Sequence, residues 1–282
     1  MMLRDIITNT HPNKGELCFW WLGQSGFVLK TDSLCIVLDP YLSNTLEEAT
    51  KEQSWKRHIR MMDIPIGPNE LPEVDYLIVS HGHRDHYDPA TVKGILSSNS
   101  GCTLISPKSL ASRIQKEYGC RVIGLDDGQY WEENGLGLNP IKAKHNTYDY
   151  DKTKGYPYLS YAIHLASHTL FFAGDTISHP PLIDFLSRRE VELAFLPING
   201  YTPELLKKGF ASNLTSQQAI SIALQTKVGV TVPCHYDMFT INTEQIGRFV
   251  NEANRQSLSY LVPTLYDTYI LEQGGSIKWI LH

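Results

Sequence analysis

Ser80-His81-Gly82-His83-Arg84-Asp85-His86 is the stretch that decides the reading of this chain. In extended backbone His81 and His83 point to the same side, because side chains alternate along a strand. Gly82 between them removes a side chain where two imidazoles must converge. Asp85 and His86 follow a bend and address a second position a few ångströms away. Imidazole with carboxylate suits zinc, manganese or iron better than calcium or magnesium. The stretch is a metal-binding motif, and it follows the short apolar run Tyr76-Leu77-Ile78-Val79, read as a strand.

Outward from it, the pattern is of strands with helices between them. Strands are expected at 16–22, 27–30 and 34–38, with a Gly-Gln-Ser-Gly turn at 23–26. Residues 44–62 are charged and mostly free of Gly and Pro, and are read as a helix. Residues 64–73 are a loop. Asp88-Pro89 starts a helix through Leu96, with Asp as N-cap and Pro at the first helical position. A strand at 103–106, a helix at 109–118 and a strand at 121–124 follow. Residues 128–174 are mostly strand. Helices near 181–187, 215–224 and 243–253 alternate with strands at 193–196 and 228–232, and terminal strands lie near 268–280. Thr215 with Gln218 reads as a capping box, a better account of Asn213-Leu214-Thr215 than a glycosylation sequon. This rhythm implies a layered α/β domain. Spacing alone leaves a two-sheet sandwich and a single mixed sheet both open.

The motif resembles that of the metallo-β-lactamase-fold hydrolase superfamily, H-x-H-x-D-H followed by later His, Asp and His ligands. His145 in Ala143-Lys144-His145, Asp175 in Phe172-Ala173-Gly174-Asp175-Thr176, and His235 in Pro233-Cys234-His235-Tyr236-Asp237 occupy the later positions in order. Asp39, after Val37-Leu38, matches the early acidic position that supports the ligands. The resemblance implies a four-layer αββα sandwich of two mixed β-sheets flanked by helices. It also implies that His81, His83 and His145 hold one divalent metal, Asp85, His86 and His235 a second, and Asp175 bridges. Mn²⁺ or Zn²⁺ is expected, and Fe²⁺ is allowed. Two such ions would acidify a shared water, and Asp85 or a bound water is a candidate to relay the proton to the leaving group. Trp20-Trp21-Leu22-Gly23-Gln24-Ser25-Gly26, Arg60-Met61, Asn213-Leu214-Thr215-Ser216 and the Pro233–Asp237 stretch are similar to the L-ascorbate-6-phosphate lactonase group. That likeness implies a lactone, ester or phosphorylated sugar-lactone substrate.

Substrate contacts are sought among Arg84, Lys144, Arg60, Lys207 and Lys208 for a phosphate. His179 is a candidate for the mouth of the site. Asn199 and Tyr201 follow a strand end, and the Tyr201 hydroxyl would stabilise an oxyanion. His164 and His168 are read as packed, and His11, His58 and His282 as surface residues. Cys234 is a weak candidate ligand beside His235.

Composition bounds the alternatives. The chain has 282 residues, 42% of them hydrophobic, which supports a large core and is read as one domain, 1–282. Net charge is -5 with no basic stripe, so no nucleic-acid partner is expected and a phosphodiesterase or nuclease of the same superfamily is the lesser reading. A sensor that binds metal or ligand without turnover is a third. No apolar run nears the roughly 20 residues a membrane span needs. Five cysteines without a C-x-x-C pair, and no signal-peptide core, point to a reduced cytoplasmic protein. The expected partner is a small molecule, and a homo-oligomer is compatible with the chain.

Overall fold

The computed structural model describes residues 2–282. Two sheets form. The first joins β1 (Leu17–Gly23), β2 (Gly26–Lys30), β3 (Cys35–Leu38), β4 (Tyr76–Ile78), β5 (Thr103–Pro107) and β6 (Val122–Leu125) to β13 (Thr268–Leu271) and β14 (Ile277–Ile280), in the order β14-β13-β1-β2-β3-β4-β5-β6. The second contains β7 (Trp131–Glu133), β8 (Leu136–Lys142), β9 (Leu159–Leu165), β10 (His168–Phe172), β11 (Leu193–Pro197) and β12 (Val230–Cys234), in the order β12-β11-β10-β9-β8-β7. Each sheet is antiparallel at one end and parallel at the other, β3 to β6 in the first and β10 to β12 in the second. The two-sheet sandwich is therefore the architecture, and the single mixed sheet is excluded.

The alternation of β1 explains the layering. Phe19 and Trp21 belong to the core between the sheets, with Phe27, Leu38, Leu138, Phe172 and Phe195. Trp20 and Leu22 face the other way, onto α1 (Leu3–Asn9), α3 (Pro89–Ser98) and α4 (Lys108–Tyr118), through Leu3, Ile7, Val92, Ile95 and Ile114. A strand covered on both faces is a continuous apolar run, and all seven residues of β1 are buried. The second sheet is covered by α5 (Pro180–Ser187), α7 (Ser216–Gln225) and α8 (Ile246–Arg255), whose Leu182, Ala219, Ile220 and Phe249 join the same core. Four layers, helix-sheet-sheet-helix, result. The helix starts behave as read: Asp88 caps the Thr91 amide at 2.9 Å, and Thr215 and Gln218 close the reciprocal box. Among the described residues no helix is long and apolar enough to cross a membrane.

The helix read over 44–62 is wrong beyond its first turns. Only α2 (Thr45–Thr50) is helical. The Thr50 hydroxyl bonds back to the Leu46 carbonyl and accepts from the His58 amide at 3.0 Å. Turns at 50–53 and 53–56 then carry the chain away. Tertiary contacts win over local propensity here: residues 59–61 pair with 238–240 instead. Two helices were not foreseen, α1 and the short α6 (Pro203–Lys207), whose cap is Thr202.

The sheets meet at Gly174, just after β10. Its φ is +55°, and a Cβ there would sit 2.6 Å from the Ser80 Cβ. Leu159 donates its amide to the Ser80 carbonyl, and the Tyr161 hydroxyl donates to Val79. Gly174→Ala is expected to lower stability by about 2 kcal/mol, from left-handed backbone strain and overpacking together. Denaturant unfolding of the variant measures this, and a midpoint equal to the parent's would contradict it.

Candidate metal centre

Every candidate ligand follows the carboxyl end of a strand. His81 to His86 follow β4, Asp175 follows β10, His235 follows β12, and His145 lies three residues past β8. Loops at the carboxyl ends of parallel strands are where open α/β sheets place their sites. Here two such edges face each other across the sandwich.

The structure brings all seven predicted residues together. His81, His83, His145 and Asp175 offer donor atoms within 4.8 Å of one another, and so do Asp85, His86 and His235. Asp175 reaches both groups. Its Oδ2 is 4.0 Å from His81 Nε2, 3.6 Å from His145 Nε2 and 3.4 Å from His235 Nε2, and its Oδ1 is 3.2 Å from His86 Nε2. Asp85 Oδ2 is 3.4 Å from His235 Nε2 and 3.7 Å from His86 Nε2. His83 is the exposed member, while His81, His86, His145, His235 and Asp175 are buried.

Asp39 organises the motif from behind. One carboxylate oxygen accepts the Ser80 amide at 2.7 Å. The other accepts the Ser80 hydroxyl and lies 2.7 Å from His86 Nδ1. The Ser80 oxygen is in turn 2.9 Å from His81 Nδ1. Asp39 could group with His81 and His86 as a donor, but these bonds already occupy both its oxygens. His145 Nδ1 is held by the Ser212 carbonyl at 2.9 Å. Fixing one ring nitrogen aims the other.

A divalent ion fits what these bonds leave over. His81 Nε2, His86 Nε2 and Asp175 Oδ1 are buried without a hydrogen-bond partner. Each such atom costs about 1–3 kcal/mol unless something satisfies it. Electrostatics point the same way. Burial, then the neighbouring His86 and His83 rings, drives the His81 pKa well down. Burial also opposes the charge of His86 and His235, but Asp175 outweighs it; His86 ends well above its usual value and His235 at about 9. Without a cation the carboxylates keep protons on imidazoles that a metal would need neutral.

Two contacts were not foreseen. Gln24, at φ +50° in the turn between β1 and β2, donates its amide to Asp85 Oδ2 at 2.8 Å and lies 3.1 Å from His235 Nε2. Its carbonyl accepts from Trp21 Nε1 and from the His235 amide. Its signal was the turn itself, between two strands that end at the site. The second is the wall of the cleft, which has a volume of about 190 Å³ and is lined by Leu46, Lys56, His58, Phe210 and Asn242 beside the candidate ligands and Arg84.

His58 was read as a surface residue and is 6% exposed, between Phe210 and Phe239. Of the expected substrate contacts only Arg84 lines the cleft. The Arg60 guanidinium is spent on the carbonyls of Tyr41, Ser43 and Met62. The Lys144 ammonium lies over Tyr148, whose hydroxyl is 3.2 Å from the Nδ1 of buried His179, and neither residue lines the cleft. Asn199 is bonded to Asn213 and Asn242 and meets the cleft only through the latter. Tyr201 is exposed outside it, and Lys207 and Lys208 do not line it. Cys234 is buried, burial pushes its thiol up, and it accepts from Ser25. His164 and His168 are hydrogen-bonded as expected.

Comparison with known proteins matches this geometry to a class. Residues 36–236 fit the model of the beta-lactamase superfamily domain, and the chain belongs to that family. It is 24% identical over 271 residues to a UPF0173 metal-dependent hydrolase of Methanosarcina mazei, covering 93% of this chain and 99% of that one. Among solved structures, Igni18, a metallo hydrolase of Ignicoccus hospitalis, superposes with a TM-score of 0.67 at 21% identity, over 91% of this chain and 99% of the other. An isothiocyanate hydrolase from Delia radicum gut bacteria superposes with a TM-score of 0.69 at 17% identity, over 88% and 96%.

Asp39→Asn is expected to weaken metal binding by about 10- to 100-fold with the fold retained, read by competition against a chromogenic chelator. Metal uptake should also release protons. His235 is protonated below about pH 9 in the metal-free fold, so apparent affinity rises with pH toward that value. Calorimetry in buffers of different ionisation enthalpy reads the release, and uptake without proton release between pH 6 and 8 contradicts it.

Proposed function

We propose that the chain is a binuclear metal-dependent hydrolase of a small ester, lactone or phosphorylated sugar-lactone-type molecule. The position of Asp175 carries the reading: one carboxylate lies within 4.0 Å of imidazoles from both donor groups. His81, His83 and His145 would hold one ion, Asp85, His86 and His235 the other, and Asp175 both. When bound, the ions supply Lewis acidity and a nucleophilic water near neutral pH. Zn²⁺ or Mn²⁺ suits the mixed nitrogen and oxygen donors, with Fe²⁺ as a third candidate.

The chain's own residues do the rest. Asp39 and Ser80 hold His81 and His86 in one orientation. Gln24 holds the Oδ2 of Asp85, and among the described residues no donor engages the Oδ1. That oxygen would take up the proton the attacking water gives up and pass it to the leaving group, with a bound water as the other carrier. Substrates of the lactonase type are supported by the Trp20–Gly26 stretch, whose Gln24 turn reaches the centre. All five cysteines are free, which supports a cytoplasmic location.

Metal analysis of His83→Ala tests the reading. His83 is exposed, so its loss leaves the core intact. Metal content is expected to fall, and hydrolysis across a panel of lactones, phosphorylated lactones and aryl esters to drop by roughly 100-fold or more. Unchanged metal and turnover would sink the reading. Preference for bis(p-nitrophenyl) phosphate or RNA in the parent would move it to a phosphodiesterase.

A further inference from the structure

Part of the wall of the cleft comes from residues 56–58, a segment that holds no candidate ligand. We propose, resting on the hydrolase reading above, that Lys56 is a specificity-determining residue. It receives an anionic group, phosphate or carboxylate, of a small substrate whose scissile bond lies over the Asp175 cluster, with Arg84 as the second cation. Both residues line the cleft, and no carboxylate lines it besides Asp85 and Asp175, which the ions would neutralise. The ion pairs made by Lys and Arg among the described residues all lie elsewhere. Lys56 is half-buried, and its ammonium is 5.1 Å from the Phe210 ring centre, so it is held over the cleft.

The segment that carries Lys56 is clamped. Arg60 fastens it to the carbonyls of Tyr41 and Ser43, and Glu47 accepts the Arg60 amide at 3.1 Å. Met61 donates to Met238 and Thr240 to Ile59, which ties it to the chain just past His235. His58, two residues on, is wedged between Phe210 and Phe239, and its Nδ1 is enclosed without a partner. Asn242, which also lines the cleft, offers hydrogen bonds to the polar body of a substrate. The volume of about 190 Å³ leaves room for a small molecule. Groups held on a fixed frame discriminate better than mobile ones.

The test is equilibrium binding of inorganic phosphate and of acetate to metal-loaded full-length protein, by calorimetry, with metal content measured on the same samples. Lys56→Met is expected to weaken binding of one anion about tenfold, and which anion responds identifies the substrate's group. Lys56→Arg should bind within about threefold of the parent. Lys227→Met, which removes a charge outside the cleft, should bind as the parent does. If Lys56→Met keeps its metal and binds both anions as tightly as the parent, the proposal is overturned while the hydrolase reading stands. A parent that takes up no metal defeats the hydrolase reading and this proposal with it.

Discussion

Ser80 and Gly174 touch at a distance that no side chain on residue 174 would permit. Ser80 opens the H-x-H-x-D-H stretch at the end of β4 in one sheet, and Gly174 precedes Asp175 at the end of β10 in the other. Because the two backbones meet there, the Asp175 carboxylate arrives among imidazoles from the opposite sheet. The same Ser80 delivers the influence of Asp39 to His81. One contact therefore sets both the spacing of the sheets and the convergence of the donors. Burying Asp39, His81, His86, His145, Asp175 and His235 in one place is expensive. The enclosed cores on either side of the first sheet supply the rigidity that keeps them there.

The part of the site that could be read from the chain is the part that ligation forces into local spacing. His81 and His83, expected on one side of an extended strand, stand instead in the bend and turn that follow β4, and residues 81–86 were legible because the candidate donors fall within six consecutive positions. His145, Asp175 and His235 were legible through resemblance, each behind an apolar run. The four layers followed in the same way, while spacing alone left the number of sheets open. Lys56, His58, Phe210 and Asn242 were not legible. They come from separate stretches of the chain, and within the helix read over 44–62 His58 was a surface residue and Lys56 had no assigned role. What breaks that helix is the pairing of 59–61 with 238–240, a long-range event that no local pattern encodes. Arg60 failed as a substrate contact for the same reason: its charge is used to hold that pairing in place.

The fold leaves the reaction open. A diiron β-hydroxylase of Streptomyces venezuelae shares it, with a TM-score of 0.67 at 13% identity over 94% of this chain and 55% of the other, so oxidative and hydrolytic chemistry both occur on this frame. Fold does not imply function, and the site must be read for itself. The seven candidate donors account for the imidazoles and carboxylates grouped at the centre apart from Asp39, which holds Ser80 and His86 instead. What remains to distinguish this chain is the wall opposite the donors, formed by one clamped segment and the loop that brings Phe210. That wall is cationic, aromatic and close to the candidate metal ligands. A neutral ester would leave Lys56 and Arg84 uncompensated in the partly closed cleft, whereas an anion would compensate both. On the proposed reading, selection between substrates is then a matter of which molecule pairs those charges while its reactive carbonyl or phosphoryl group reaches Asp175.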